Sequence, residues 1–388
     1  MIDSTAAMPQ ARGQSGAAAT RPRGHALAAW WAGLRGPPPA LNLALQGGGA
    51  HGAFTWGVLD ALLAQPQLDF EGLSGSSAGA MNAVVMADGW LKGSAQGGAE
   101  GAREGARQAL ADFWGAVGQQ LPPGLVSQGH TDAIDLSAAA KLMSHWAGWF
   151  SPAQLNPFDH NPLRDLLERQ VDFERLRAAS PFKLFIGTTH ASSGRLRVFR
   201  EHELTAQVLL ASACLPKMHH AVEIDGEAYW DGGYSANPAV FPLFYDCESR
   251  DVLLVLLAPL QRNETPRTVE DIDARISELA FSSHFMREMR MFAQATSFAR
   301  QGRDPARLSG WQGWWAGRLE RRLQGMRFHV VDASNLASLE RSKTKLLAYG
   351  PFLQRLRAQG QERGAAWLAR HTADVGQRSS FDIHERFA

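Results

Sequence analysis

From Leu41 onward the apolar positions switch repeatedly between two spacings. Leu41-Asn42-Leu43-Ala44-Leu45-Gln46 predicts a short strand, and Phe54, Val58, Leu59, Leu62 and Leu63 then recur at helical spacing within Ala53–Leu63. Phe70–Ser74 predicts a second strand and the small residues Ala80–Ala87 a second helix. Each strand meets its helix through a glycine turn, Gly47-Gly48-Gly49-Ala50-His51-Gly52 in the first unit and Gly75-Ser76-Ser77-Ala78-Gly79 in the second. Two such units in about 45 residues predict a mostly parallel α/β sheet, with helices on its faces and functional loops at the carboxyl ends of its strands.

Further strands are expected at Phe182–Thr188, Arg195–Arg200, Ala221–Ile224, Ala228–Trp230, Val252–Leu257 and Phe328–Val331. Between the second unit and Phe182 lies an insertion, about residues 91–180, which reads as Gly-rich linkers, an aromatic patch (Trp146, Trp149, Phe150) and a helix from Pro162 to Val171. Thr268-Val269-Glu270-Asp271 has capping-box spacing and opens a long helix, with Val269, Ile272, Ile276 and Leu279 along one face. The expected organisation is a disordered tail (1–40), a catalytic domain (41–260) and a mainly helical C-terminal extension (261–388) packed on it.

Composition narrows the function classes. The chain has 388 residues and 45% hydrophobic content, enough for a substantial core and too much for wholesale disorder. Its 39 basic residues balance 38 acidic ones, which argues against a dedicated nucleic-acid binder. Cys214 and Cys247 are too few for a disulfide scaffold or a thiolate metal cluster. Neither a bilayer-spanning apolar run nor a secretory-signal pattern is visible, so a cytoplasmic protein is expected, at most peripheral at a membrane.

The first turn fits Gly-x-Gly-x-x-Gly through Gly47, Gly49 and Gly52, with Asp69 and Glu71 about 20 positions on, as a dinucleotide site would. Successive main-chain N–H groups at a helix start hold any anion, a pyrophosphate or a developing oxyanion alike. The second turn separates the two. Gly75-Ser76-Ser77-Ala78-Gly79 matches Gly-x-Ser-x-Gly, which lifts the Ser77 hydroxyl onto the sheet edge that carries the first turn. A nucleophile beside an oxyanion cradle is an acyl-transfer site. A dinucleotide-binding oxidoreductase would leave Ser77 unexplained, and with it Asp231. Downstream, Tyr229-Trp230-Asp231-Gly232-Gly233 ends a short strand in an aspartate that can act as base if burial raises its pKa.

These three motifs, in this order, resemble the patatin-like lipid acyl hydrolases, the patatin-like phospholipase family. Ala211-Ser212-Ala213-Cys214-Leu215-Pro216, Asp225-Gly226 and Asn237-Pro238 are similar to the family as well, and the resemblance covers about residues 41–260. It implies a three-layer α/β/α fold and a Ser-Asp dyad with neither metal nor cofactor. In that reading Ser77 attacks a carboxylic ester of a lipid or phospholipid, Asp231 takes its proton, and the Gly47, Gly48 and Gly49 N–H groups bind the oxyanion. His51, Gly52, Gly75, Gly79, Gly232 and Gly233 support the motifs. The departure is His51, where the family carries Arg or Lys: a fixed charge is exchanged for a titratable one.

Other readings share the same residues. The site suits other acyl esters, thioesters or an alcohol acceptor, and a weakened site would leave a lipid-surface binding protein. His219-His220 lacks companion ligands for a metal. Residues 303–327 combine Trp311, Trp314 and Trp315 with six arginines against Asp304 and Glu320, a pattern suited to an anionic lipid surface. With that basic segment and a basic 1–40, the overall neutrality averages over a slightly acidic remainder.

Overall fold

The computed structural model describes residues 40–120, 126–127, 135–137, 154, 156, 159–261, 265–301, 318–340 and 342–388. Residues 1–39 of the expected 1–40 tail, the Trp146/Trp149/Phe150 patch and residues 303–317 of the Trp/Arg segment lie outside them, while Ala40 already begins the first strand.

Among the described residues the eight expected strands form one sheet. They are β1 (Ala40–Leu45), β2 (Asp69–Gly75), β3 (Lys183–His190), β4 (Leu196–Arg200), β5 (Val222–Ile224), β6 (Glu227–Asp231), β7 (Asp251–Leu256) and β8 (Arg327–Asp332). The order is β8-β7-β1-β2-β3-β6-β5, with β4 also paired to β3. The run β8 to β3 is parallel, whereas β4 and β6 are antiparallel to β3 and β5 is antiparallel to β6. Leu41–Leu45 and all of β7 are buried, as strands covered on both faces must be. The sheet does not end at residue 260, since β8 is its edge strand.

Five helices frame the sheet and its carboxyl edge: α1 (Gly52–Leu63), α2 (Ala78–Gly118), α3 (Ala206–Ser212), α4 (Val269–Gln301) and α5 (Gly350–His371). Every residue of α1 is buried, because α5 lies across the side away from the sheet. A Cβ on Gly57 would meet the Arg357 carbonyl oxygen at 2.0 Å and one on Gly360 the Phe54 carbonyl oxygen at 2.0 Å, so the two backbones touch. Asp60 of α1, 1% exposed, accepts from Arg107 of α2 at 2.6 Å and Arg357 of α5 at 3.0 Å. One buried carboxylate thus ties three helices, and its two guanidiniums offset its desolvation.

Two regions depart from the pattern in the sequence. The Gly-rich start of the insertion is a helical hairpin. Its break falls at Gly97 and Gly98, where the φ of Gly98 is +60°. The second arm packs back on the first: a Cβ on Gly93 would lie 2.0 Å from the Gly101 carbonyl oxygen, and one on Gly89 2.5 Å from that of Gly105. Glycines that look like linker residues are here the condition for two backbones to approach. In α4 the stripe Val269, Ile272, Ile276 and Leu279 is exposed, while Phe285, Met289 and Phe292 further along carry the buried face. Thr268 does cap the helix, its hydroxyl accepting from the Asp271 N–H at 3.1 Å.

At the β7–β8 edge, Asp251 accepts from Arg327 through both carboxylate oxygens (2.9 and 2.6 Å), from His329 (3.1 Å) and from the Gly376 N–H (3.0 Å). Burial alone would raise this carboxyl, but the hydrogen bonds of His329, Arg327 and Gly376 hold it down at about 2, against an ordinary 3.8. A depressed carboxyl contributes stability above its unfolded pKa and loses it as pH falls toward the folded one. Asp251→Asn is therefore expected to cost about 3 kcal/mol near neutral pH, with the gap to wild type closing between pH 4 and pH 2. Urea unfolding across that range measures it, and equal midpoints at pH 7 would refute the account.

Candidate active site

β1 and β2 are neighbours, with Leu45 opposite Gly75, so the glycine turns at their ends emerge side by side. Ser77 sits between β2 and α2 with φ +53° and ψ −124°, a conformation few non-glycine residues adopt. Its N–H is held by the carbonyl of Ser212 (3.1 Å) and by the Ser212 hydroxyl (3.0 Å), and that hydroxyl donates in turn to the Gly187 carbonyl at 2.7 Å. Loop and elbow fit only because their glycines lack side chains. A Cβ on Gly79 would stand 2.1 Å from the Leu45 oxygen, one on Gly47 2.4 Å from the Ser76 oxygen, and one on Gly52 2.5 Å from the Ala78 Cβ. Gly75 packs equally closely on Gly79. Gly49, at φ +57°, lies against the Lys345 carbonyl.

Asp231 reaches this edge by a different route. β3 is in register with β2 at Gly75–Ile186 and continues beyond the sheet's carboxyl edge to His190. β6 pairs antiparallel with that overhang and ends with Asp231 opposite Thr188. Cys214 and Thr189 fix the Asp231 main chain: its N–H donates to the Cys214 carbonyl and its carbonyl accepts from the Thr189 hydroxyl, both at 2.8 Å. The carboxylate accepts from the Gly233 N–H at 2.7 Å, and the Ser77 hydroxyl lies close enough to lower its pKa. Gly232 packs on the Gly187 carbonyl, and Gly233 on Phe281 of α4. Asp231 is 1% exposed, and this burial raises its carboxyl to about 7 against the opposing pull of those two groups.

The Gly47 N–H donates to the Asn237 side chain at 2.7 Å, and the Asn237 amide returns a bond to the Gly47 carbonyl at 3.3 Å. Gly47 is thus the anchored end of the loop, and Gly48 and Gly49 come after it along the cleft. His51 is fully buried; its Nε2 meets the Thr344 hydroxyl at 2.7 Å, and its Nδ1 has no partner among the described residues. Burial, followed by the charge of Lys345, pulls its pKa to about 3. The titratable charge expected at this position is therefore absent at neutral pH. His219 and His220 make loop contacts, to the Leu215 N–H and the Asn156 carbonyl.

Ser77, Asp231 and Gly47–Gly49 share one cleft of about 540 Å³. Its walls are largely apolar and include Met81, Phe113, Trp114, Val117 and Phe281, as an acyl chain requires. Of the residues that build it, Ser212 and Asn237 carried only the resemblance of their surrounding segments as a signal, and Thr189 and Lys345 carried none.

An α/β/α sheet with a serine elbow and an aspartate strand end at one edge defines the class. The patatin-like phospholipase family model matches residues 43–244, and the chain belongs to that family of lipid hydrolases. Among solved structures, VipD from Legionella pneumophila is similar at 16% identity and a TM-score of 0.38, over 88% of this chain and 67% of that one. No curated protein matches it. Among the described residues no helix is long and apolar enough to cross a membrane.

If Asn237 anchors the loop, Asn237→Ala leaves the Gly47 N–H without its acceptor and should lower stability by about 1–3 kcal/mol. Thermal unfolding would register this as a lower Tm, and an unchanged Tm would contradict the anchoring role.

Proposed function

We propose that the chain is a serine lipid acyl hydrolase that cleaves carboxylic esters of lipids or phospholipids through Ser77 and Asp231. The observation that carries this reading is the Ser77 hydroxyl beside a buried carboxylate, in one apolar cleft with a glycine loop. The strained turn presents the hydroxyl of Ser77. Asp231, desolvated to a pKa about 7, is ionised in a usable fraction at neutral pH and basic enough to take the serine proton as the oxygen attacks the ester. The negative charge moves from Asp231 to the former carbonyl oxygen. We assign its stabilisation to the N–H groups of Gly48 and Gly49. The resemblance implied a third donor at Gly47, but the bond of its N–H to Asn237 supports an anchoring role instead. Asp231 then returns its proton to the departing alcohol, and water hydrolyses the acyl-enzyme by the same proton route in reverse.

A fluorophosphonate probe should label Ser77, and Ser77→Ala should remove both labelling and ester hydrolysis. Asp231→Asn should lower kcat by about 10²–10⁴-fold with the fold intact; full activity in that variant would assign the base elsewhere. Because the base acts ionised, kcat/KM of the wild type should rise with pH toward a plateau above about 7, falling tenfold per pH unit on the acid side. A flat profile between pH 5 and 8 would overturn the role of Asp231.

A further inference from the structure

The loop side of the cleft contains a cation that the family motif does not provide. Lys345 belongs to the turn Ser342–Leu346, far outside residues 43–244, yet it lines the same cleft as Gly47, Gly48, Gly49, Ser77 and Asp231. Its backbone is locked against the glycine loop: a Cβ on Gly49 would lie 2.3 Å from the Lys345 carbonyl oxygen and 3.7 Å from the Lys345 Cβ. The adjacent Thr344 hydroxyl is bonded to His51 of the same loop at 2.7 Å.

The position of this charge relative to the two ends of the proton transfer matters. Lys345 is felt at His51, on the loop side. The Asp231 carboxyl is governed by burial, by the Gly233 N–H and by the Ser77 hydroxyl. When Asp231 takes the serine proton, one negative charge leaves the carboxylate and appears on the ester oxygen beside the glycine loop. A cation on a residue packed against the glycine loop favours the second state over the first. That is the differential stabilisation from which rate acceleration comes. His51, neutral and buried, cannot supply it.

Resting on the Ser77–Asp231 reading, we propose that Lys345 supplies the positive charge of the oxyanion site from the C-terminal segment, beside the main-chain donors of the glycine loop. The polypeptide beyond the matched family region then completes the reactive centre as well as covering the core.

The test compares wild type, Lys345→Met and Lys345→Arg on p-nitrophenyl butyrate, an uncharged ester, and on vesicles of an anionic phospholipid. On the uncharged ester Lys345→Met should lower kcat by about tenfold to a hundredfold with KM nearly unchanged, and Lys345→Arg should recover most of kcat. Unfolding midpoints of both variants should match wild type, so that a loss of kcat is not a loss of fold. Full kcat in Lys345→Met on the uncharged ester would overturn the proposal. So would a defect confined to KM on the anionic lipid, which would make Lys345 a headgroup contact. Failure of Arg to rescue while the fold is intact would also count against it, because a charge at this place is what the proposal requires. A wild type that neither hydrolyses the ester nor takes a fluorophosphonate would refute the serine-hydrolase reading itself, a different outcome from an active wild type that Lys345→Met equals.

Discussion

Leu45 and Gly75 lie side by side at the carboxyl edge of two parallel strands, and the contacts of the site result from that pairing. Neighbouring parallel strands stand under 5 Å apart, so the two turns leaving them must share one small volume. They do so with no side chain between them: the Gly79 backbone rests on the Leu45 carbonyl, and Gly47 rests on Ser76. The same crowding holds Ser77 at positive φ and points its hydroxyl away from the sheet, where β6 delivers Asp231. Glycine at these positions is a packing requirement before it is a chemical one.

The antiparallel return of β6 along the overhang of β3 explains how the aspartate can be both close and dry. A loop residue at this edge would be wetted by the cleft, whereas Asp231 ends a hydrogen-bonded strand whose main chain is pinned by Cys214 and Thr189. Burial raises its proton affinity, and with the Gly233 N–H donating to it and the Ser77 hydroxyl nearby, both uncharged, the carboxylate remains basic. Asp251 shows the opposite arrangement. There burial is outweighed by donors from Arg327, His329 and Gly376, and the carboxyl is driven far below its ordinary range. Two buried aspartates of one sheet are thus set to different uses by the number and charge of the donors around them.

Much of this was legible in the sequence, for reasons that are local. A strand buried on both faces must be a short apolar run, so Val252–Leu256 and Leu41–Leu45 were visible as such; a tight turn needs glycine, so the elbow around Ser77 was visible too. What escaped depends on contacts between distant residues. Gly89, Gly93, Gly101 and Gly105 look like linker glycines until the two arms of a hairpin are seen to meet through them. The stripe from Val269 to Leu279 has the spacing of a core face, but the sheet lies under a later stretch of the same helix. The bond from Gly47 to Asn237 spans 190 positions, and the proximity of Lys345 to Gly49 nearly 300.

His51 shows how a local departure can be balanced by a remote one. At a site open to water an imidazole would titrate near neutrality, but here α5 covers it, with Phe352 edge-on at 6.4 Å, and ionising it would place a charge in an apolar pocket. The cover that silences His51 comes from the segment that brings Thr344 and Lys345 to the loop. Burial of the imidazole and arrival of the lysine are therefore two consequences of one packing event, the docking of the chain around residues 342–371 onto α1 and the glycine loop. A cation at the motif position itself would have to be buried beneath α5, at a desolvation cost of several kcal/mol. Placed on the turn before α5, the same charge keeps contact with the cleft while the helix still closes the core.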